Sequence, residues 1–515
     1  MTKHTKARTG TSDQKAIGEF IKTLRERRGL TQAQFAKALG TSQSAVARME
    51  AGNQNLSTAE LSKVSEALDH KIVSIADSTD FEIEGPTKLS GSIATNTSKN
   101  GALALACGAL LNRGITRLRG IPRIEEMNRL FEIFESIGVS VRRDGDVVEI
   151  RPPKTFNLAS MDVAAARRIR SVLMMIGPLS HHVERFEIPH AGGCKMGNRT
   201  IAAHRFALED LGLSIKTESE SYVITRAKRA RTPRLGEVVM YESSDTATIN
   251  ALLRAALIPR VTRISFATPN YQVQETCFFL RALGVRVDGV GTTDVVVHGV
   301  ESIKQDIEYA NSEDPIESMM FIAAAVATES QLTVRRCPID FVKLELAKLE
   351  HMGLRYDISE PYLADNGGTR LADVTVYPSK LEAPHDKIAA QPYPGINTDN
   401  LPFFVPIAAR ATGRTLVHDW MWENRAIYFT ELNRLGASVT LADPHRVFID
   451  GPSKLKAAQI VCPPALRPAV IILIAMLAAE GKSVLRNVYS IQRGYEEIAE
   501  RLNSIGAKIR VLKGV

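Results

Sequence analysis

The chain has 515 residues, 44% of them hydrophobic, and a formal net charge of +8. That length predicts roughly three or four domains with sizeable cores. No apolar run approaches the ~20 residues of a membrane span, which excludes a helical membrane protein.

The N-terminal stretch MTKHTKARTGTSDQK is basic and polar and has no apolar h-region, so no secretory signal is expected and the cytoplasm is. Residues 1–14 read as a disordered tail. The five cysteines (107, 194, 277, 337, 462) are scattered, with no CxxC pair and no His at zinc-ligand spacing. That pattern predicts neither disulfides nor a structural metal, and no cofactor is expected. Residues 1–75 hold 12 Lys and Arg against 7 Asp and Glu, so five of the eight excess positive charges belong to this short segment. Any nucleic-acid partner is expected there.

Within that segment Ile17, Phe20, Ile21 and Leu24 recur with helical period. Thr31 is placed to cap a second helix that turns Phe35, Ala36 and Leu39 inward, and Gly40 makes the turn. Ser42 opens a third helix with Ala45, Val46 and Met49 as its buried stripe. A fourth adds Leu61, Val64 and Leu68. Two short helices about a glycine turn inside a small bundle form a helix-turn-helix. The run LTQAQFAKALGTSQSAVARMEAG resembles the phage-repressor type, which places residues 15–75 in a DNA-binding domain. Its third helix is expected in the major groove, presenting Ser42, Gln43, Ser44 and Arg48, with Gln32 near a phosphate. Such repressors bind as dimers, so a homodimer through this domain is expected. A bundle kept only for protein contacts has the same apolar pattern.

Past residue 80 the chain repeats. A helical stretch ends in an apolar residue plus glycine, and an alternating strand follows. The copies are LFEIFESIGVSVR, RFALEDLGLSIK, CFFLRALGVRVD, ELAKLEHMGLRYD, FTELNRLGASVT and IAERLNSIGAKIR. Glycine after the last helical turn is the expected cap, and the alternation gives each strand one buried face. Six such units make two three-unit globules with a cleft between them.

The segment Ala191-Gly192-Gly193-Cys194-Lys195-Met196-Gly197-Asn198-Arg199 places a thiol in a glycine-rich turn between cations. Neighbouring cations favour the thiolate and attract anions. A small inert cysteine in a structural turn fits the local residues as well.

From about Phe81 to Val515 the chain resembles the enolpyruvyl transferases, and closely the UDP-N-acetylglucosamine 1-carboxyvinyltransferases. The resemblance rests on FEIEGPTKLSGSIATNTSKNGALAL, RRIRSVLMMIGPL, HAGGCKMGNR, SEDPIESMMF, NTDNLPFF, WENRAIYFTEL and IQRGYEEIAERLNSIGA, in the family's order. It implies a two-domain inside-out α/β barrel, with one domain over 81–98 plus 301–515 and the other over 99–300. It implies transfer of the enolpyruvyl group of phosphoenolpyruvate to a sugar-nucleotide hydroxyl, with release of phosphate. Lys99, Arg199 and Arg425 match the family's phosphoenolpyruvate ligands. Cys194 matches the residue that delivers a proton to the methylene carbon, Asp314 the proposed base, and Asp399 a carboxylate near the reacting centre. Asn100, Arg170 and His204 match acceptor-binding positions. The other four cysteines have no such context and read as packing residues.

Three departures fall on the acceptor side. A family turn over the diphosphate, Ser-Val-Gly, aligns with Ser244-Asp245-Thr246. An aspartate there opposes a diphosphate unless it is turned away or paired. A nucleotide-contacting aspartate aligns with Ala202, and a loop lysine with Glu125. These departures point either to the same reaction on another nucleotide or sugar or to a duplicated copy put to a new use. The fused helix-turn-helix also allows a transcriptional regulator with a ligand-sensing barrel, although sensing requires no proton donor.

Overall fold

The computed structural model describes residues 10–54, 56–68, 79–192, 200–227 and 237–513. The chain divides into two compact units, one within residues 1–77 and one within 78–513.

The first unit is helical, with helices Gly10–Arg27, Gln32–Leu39, Gln43–Glu50 and Thr58–Ala67. Ile21, Leu24, Phe35, Val46, Met49, Leu61, Val64 and Leu68 form its core. Thr31 caps the second helix in a reciprocal capping box with Gln34. Gly40 takes φ +65°, and Ser42 caps the third helix through Ala45 N at 3.2 Å. Ser42, Gln43, Ser44 and Arg48 are exposed. Gln32 is half-buried, and its amide donates to Glu50 at 2.9 Å. Glu50 is also held by Arg25 in a buried ion pair. The first helix starts at Gly10, inside the segment expected as a tail. Apolar periodicity marks only the buried face, and the helix runs on past its first apolar residue.

The second unit contains six sheets and the six glycine-capped helices. One copy shows the plan. A buried helix Lys99–Ala109 leads to the strand Thr116–Arg119 and the amphipathic helix Glu125–Ser136. Gly138 then turns the chain into the hairpin Ser140–Asp144 and Val147–Arg151. All six glycines, 138, 212, 284, 353, 436 and 506, have φ between +83° and +106°. That region is open to glycine and costly for other residues. In five of the sheets a strand from elsewhere in the chain adds in parallel, as Ile307–Ala310 does beside Thr116–Arg119. The last copy is completed by the first strand of the unit. Thr79–Gly85 pairs with both Gly481–Arg486 and Ile509–Lys513.

The most apolar helices sit at the centre, and the sheets lie outside them. Every residue of Pro315–Ala327 is buried, as is almost all of Leu466–Ala478. One hydrophobic core is drawn from residues 102–309. The other is drawn mainly from residues 81–93 and 316–509. This is the inside-out α/β fold of six repeated units, preceded in the chain by an all-α helix-turn-helix unit. Among the described residues no helix is long and apolar enough to cross a membrane.

Candidate active site

The central helices bring their N-termini to one cavity of about 370 Å³. Lys99 and Asn100 open Lys99–Ala109. Ser244, Asp245 and Thr246 open Asp245–Ala255. Leu466 and Arg467 open Leu466–Ala478, and Asp399 precedes the turn Leu401–Phe403. Helix N-termini carry unpaired N–H groups and partial positive charge, so this convergence suits an anionic ligand. Among the described residues four cations line the wall: Lys99, Arg170, Arg467 and Arg493.

Lys99 Nζ pairs with Glu126 at 2.9 Å. Asn100 donates to the Tyr271 hydroxyl at 2.8 Å. Arg170 donates to the Thr200 carbonyl at 2.9 Å, and burial pulls its pKa down. Arg467 donates to Asp399 at 3.1 Å and to the Tyr495 hydroxyl at 2.6 Å. Burial pushes the Asp399 carboxyl up, but Arg467, Arg425 and Lys99 outweigh it and hold it below the usual carboxylate range. Asp314 has the opposite bias. It caps Pro315–Ala327 by accepting from Ile316 N at 2.8 Å, and burial pushes it up. Two carboxyls with pKa values pushed apart can divide base and electrostatic roles.

Asp245 is paired. Its Oδ2 accepts from Asn270 at 2.9 Å and from Gln272 at 2.8 Å. Burial nevertheless raises its pKa. Glu125 is drawn to Arg129 on its own helix and is off the wall, whereas its neighbour Glu126 is on it. Ala202 is half-buried at the start of the helix Ala202–Asp210.

Of the expected residues, Lys99, Asn100, Arg170, Ser244, Asp245, Thr246 and Asp399 line this cavity. His204 stands behind the wall, with its ring nitrogens on Thr246 (3.2 Å) and Asn250 (3.1 Å), and burial pushes it down to about 3. Asp314 is also set back and 7% exposed. Arg425 is fully buried. It clamps Asp419 through two nitrogens, and its Nη1 stands 3.9 Å from Asp399. It braces the carboxylates from behind rather than facing the cavity. Cys194 and Arg199 lie outside the described residues. The other four cysteines are buried, and burial raises all their thiols, those of Cys277, Cys337 and Cys462 to about 12.

Sequence reasoning missed Glu126, Arg467 and Arg493. Arg467 had a signal, being a lone charge at the head of the apolar run LRPAVIILIAMLA. Arg493 sits in the IQRGYEE segment, where no role was drawn for it. Glu126 is one of two adjacent glutamates, and only the fold separates them.

Residues 83–502 match the family model described as EPSP synthase (3-phosphoshikimate 1-carboxyvinyltransferase), and residues 21–72 match a helix-turn-helix model. The UDP-N-acetylglucosamine 1-carboxyvinyltransferase of Bradyrhizobium diazoefficiens is 31% identical over 84% of this chain and 97% of its own length. That of Treponema denticola is also 31% identical, over 84% and 99%. The enolpyruvyl transferase NikO from Streptomyces tendae has a similar fold, with TM-score 0.72 and 24% identity over 85% of this chain and all of its own. Matching family models, full-length relatives and a shared fold place the chain in the EPSP synthase family of enolpyruvyl transferases, as a transferase fused to a helix-turn-helix domain.

Proposed function

We propose that this chain moves the enolpyruvyl group of phosphoenolpyruvate to the 3-hydroxyl of UDP-N-acetylglucosamine and releases phosphate, the first committed step of peptidoglycan precursor synthesis in the cytoplasm. The observation that supports this most is the convergence of Lys99, Asn100, Arg170 and Asp399 on one cation-lined cavity. The two domains are taken as 81–98 plus 301–515 and 99–300, each supported by one of the two hydrophobic cores although residues 303–309 pack with the second, and the cavity as the cleft they share.

The reaction runs by addition and then elimination through a tetrahedral intermediate. Lys99 and Arg199 bind the phosphate and carboxylate of phosphoenolpyruvate, with Arg467 and Arg493 adding charge on the wall. Arg425 acts on that site through Asp399, which it steadies together with Arg467. Cys194 delivers the proton to the methylene carbon. Asp314 takes the proton from the acceptor hydroxyl, and its raised pKa brings it closer to the working pH of a general base. Asn100, Arg170 and the Ser244–Thr246 turn hold the acceptor, with His204 fixing Thr246 from behind. Full-length protein with phosphoenolpyruvate and UDP-N-acetylglucosamine is expected to release phosphate, and Cys194→Ser to lower kcat by at least about 100-fold. Full activity in that variant contradicts the proton-donor assignment.

A second reading is the same transfer to another nucleotide or sugar. Asp245 favours it, because a carboxylate occupies the helix N-terminus where a diphosphate is otherwise stabilised. Release of phosphate with another acceptor, and none with UDP-N-acetylglucosamine, selects this reading.

Residues 15–75 are proposed to bind DNA as a dimer through the exposed Ser42, Gln43, Ser44 and Arg48, with Gln32, the first residue of the second helix, near a phosphate. Gln43→Ala combined with Arg48→Ala is expected to abolish a gel shift on DNA from upstream of its own gene. It is expected to leave phosphate release unchanged. A shift that survives contradicts this set of contact residues, and a shift absent from the start favours protein contacts.

A further inference from the structure

A second cavity of about 280 Å³ lies in the half of the unit built from residues 102–309, and it shares no lining residue with the first. Its wall holds Arg113, Arg226, Arg254, His181 and His182. Glu301 is the carboxylate in the lining, and it is exposed.

Arg254 is the unusual member. It belongs to the central helix Asp245–Ala255 and is 7% exposed. A buried guanidinium is ordinarily matched by a carboxylate, because an uncompensated charge is costly away from water. Here the partners are neutral. Nε donates to the Leu211 carbonyl at 3.3 Å, and Nη1 donates to His181 Nδ1 at 3.0 Å. His181 Nε2 in turn lies 2.9 Å from the Arg254 carbonyl, so Nε2 carries the proton and Nδ1 is free to accept. Burial and the nearby arginine push His181 down to about 3, so it adds no charge and removes none.

Arg226 is held in the same way. Its Nη2 donates to the carbonyls of Ser180 (2.7 Å) and His181 (3.1 Å), while its buried Nε has no partner among the described residues. His182 Nε2 is spent on the Leu110 carbonyl at 2.9 Å. Arg113 is exposed at the mouth, and Arg260 adds further positive charge nearby. Among the described residues none of Arg113, Arg226 and Arg254 forms an ion pair. Segments 193–199 and 228–236 contain no Asp or Glu, so they bring no side-chain counter-charge. Burial, with repulsion from Arg226 and Arg260, holds Arg254 down at about 10. The cluster is thus oriented by neutral groups and left electrically unbalanced.

We propose that this cavity is a second anion site, taking a small phosphate-bearing ligand, either inorganic phosphate or a phosphate monoester. Arginine forks match tetrahedral oxyanions. Arg254 and the Ser244–Thr246 turn stand at opposite ends of one helix, roughly 14 Å apart at 1.5 Å per residue. An occupant therefore does not compete for the first cavity, and the proposal stands whether or not the transferase reading holds.

Calorimetric titration of the full-length protein with inorganic phosphate tests it, with methyl phosphate as a second titrant. The wild type is expected to bind phosphate at two sites. Lys99→Ala is expected to keep the second site. Arg226→Gln is expected to weaken it about tenfold. The exposed Arg113→Gln, which cannot disturb the core, is expected to weaken it about threefold. Binding of phosphate alone identifies the free ion as the ligand, and binding of both titrants identifies phosphorylated metabolites. A single site that disappears in Lys99→Ala and is untouched by Arg226→Gln and Arg113→Gln overturns the proposal.

Discussion

Asp245 sets the charge at one end of the first cavity. As the first residue of a helix it meets the helix N-terminus, and its two amide partners hold it against the wall. Asp245→Asn keeps the shape and removes the charge. Under the UDP-N-acetylglucosamine reading it is expected to lower the acceptor KM about tenfold, leaving the phosphoenolpyruvate KM unchanged in steady-state kinetics. A raised acceptor KM points instead to an acceptor that donates hydrogen bonds to this carboxylate. Motif order in the sequence was enough to bring Lys99, Asn100, Arg170 and Asp399 to one place. It did not separate residues facing the cavity from those behind it. Arg425 and Asp314 lie in matching motifs, yet depth from the surface depends on neighbours farther off in the chain, such as Thr398 beside Arg425 and Asn96 beside Asp314.

At the scale of elements, the six glycine caps are alike in φ but not in surroundings. A Cβ at Gly284 meets nothing within 4 Å, whereas one at Gly506 lies 2.9 Å from the Lys88 carbonyl oxygen. Gly284→Ala is therefore expected to cost only the backbone term, about 1–2 kcal/mol. Gly506→Ala must also displace backbone, and its melting temperature is expected to fall further. Equal melting temperatures contradict the steric part of this account. The caps and hairpins were legible in sequence because each is local. The parallel strands were not, since Ile307–Ala310 joins Thr116–Arg119 across about 190 residues. Closure of the sixth sheet by Thr79–Gly85 was hidden for the same reason.

At the scale of the whole transferase unit, Glu275 ties the two halves together. It sits on the helix Tyr271–Ala282 and accepts from Asn366 of the other half at 2.8 Å. Burial pushes it up to about 8. The folded chain thus holds this proton over a range where the unfolded chain, with an ordinary glutamate near 4.3, has lost it. Stability is fully present below the unfolded value and falls as pH rises towards 8, by up to about 1.4 kcal/mol per pH unit. Glu317 contributes in the same direction up to about 7. Between pH 7 and 8 Glu275→Gln is therefore expected to flatten the fall in urea midpoint. An unchanged slope contradicts the assignment.

The helix-turn-helix unit has its own core and caps, so the proposed DNA contacts and the proposed transfer chemistry are separable by substitution. The central claim concerns the chemistry. It is tested most directly by phosphate release from phosphoenolpyruvate by the full-length protein, with and without UDP-N-acetylglucosamine. The account predicts release that depends on the acceptor, with formation of the enolpyruvyl ether. No release with this or any other nucleotide or sugar hydroxyl contradicts it.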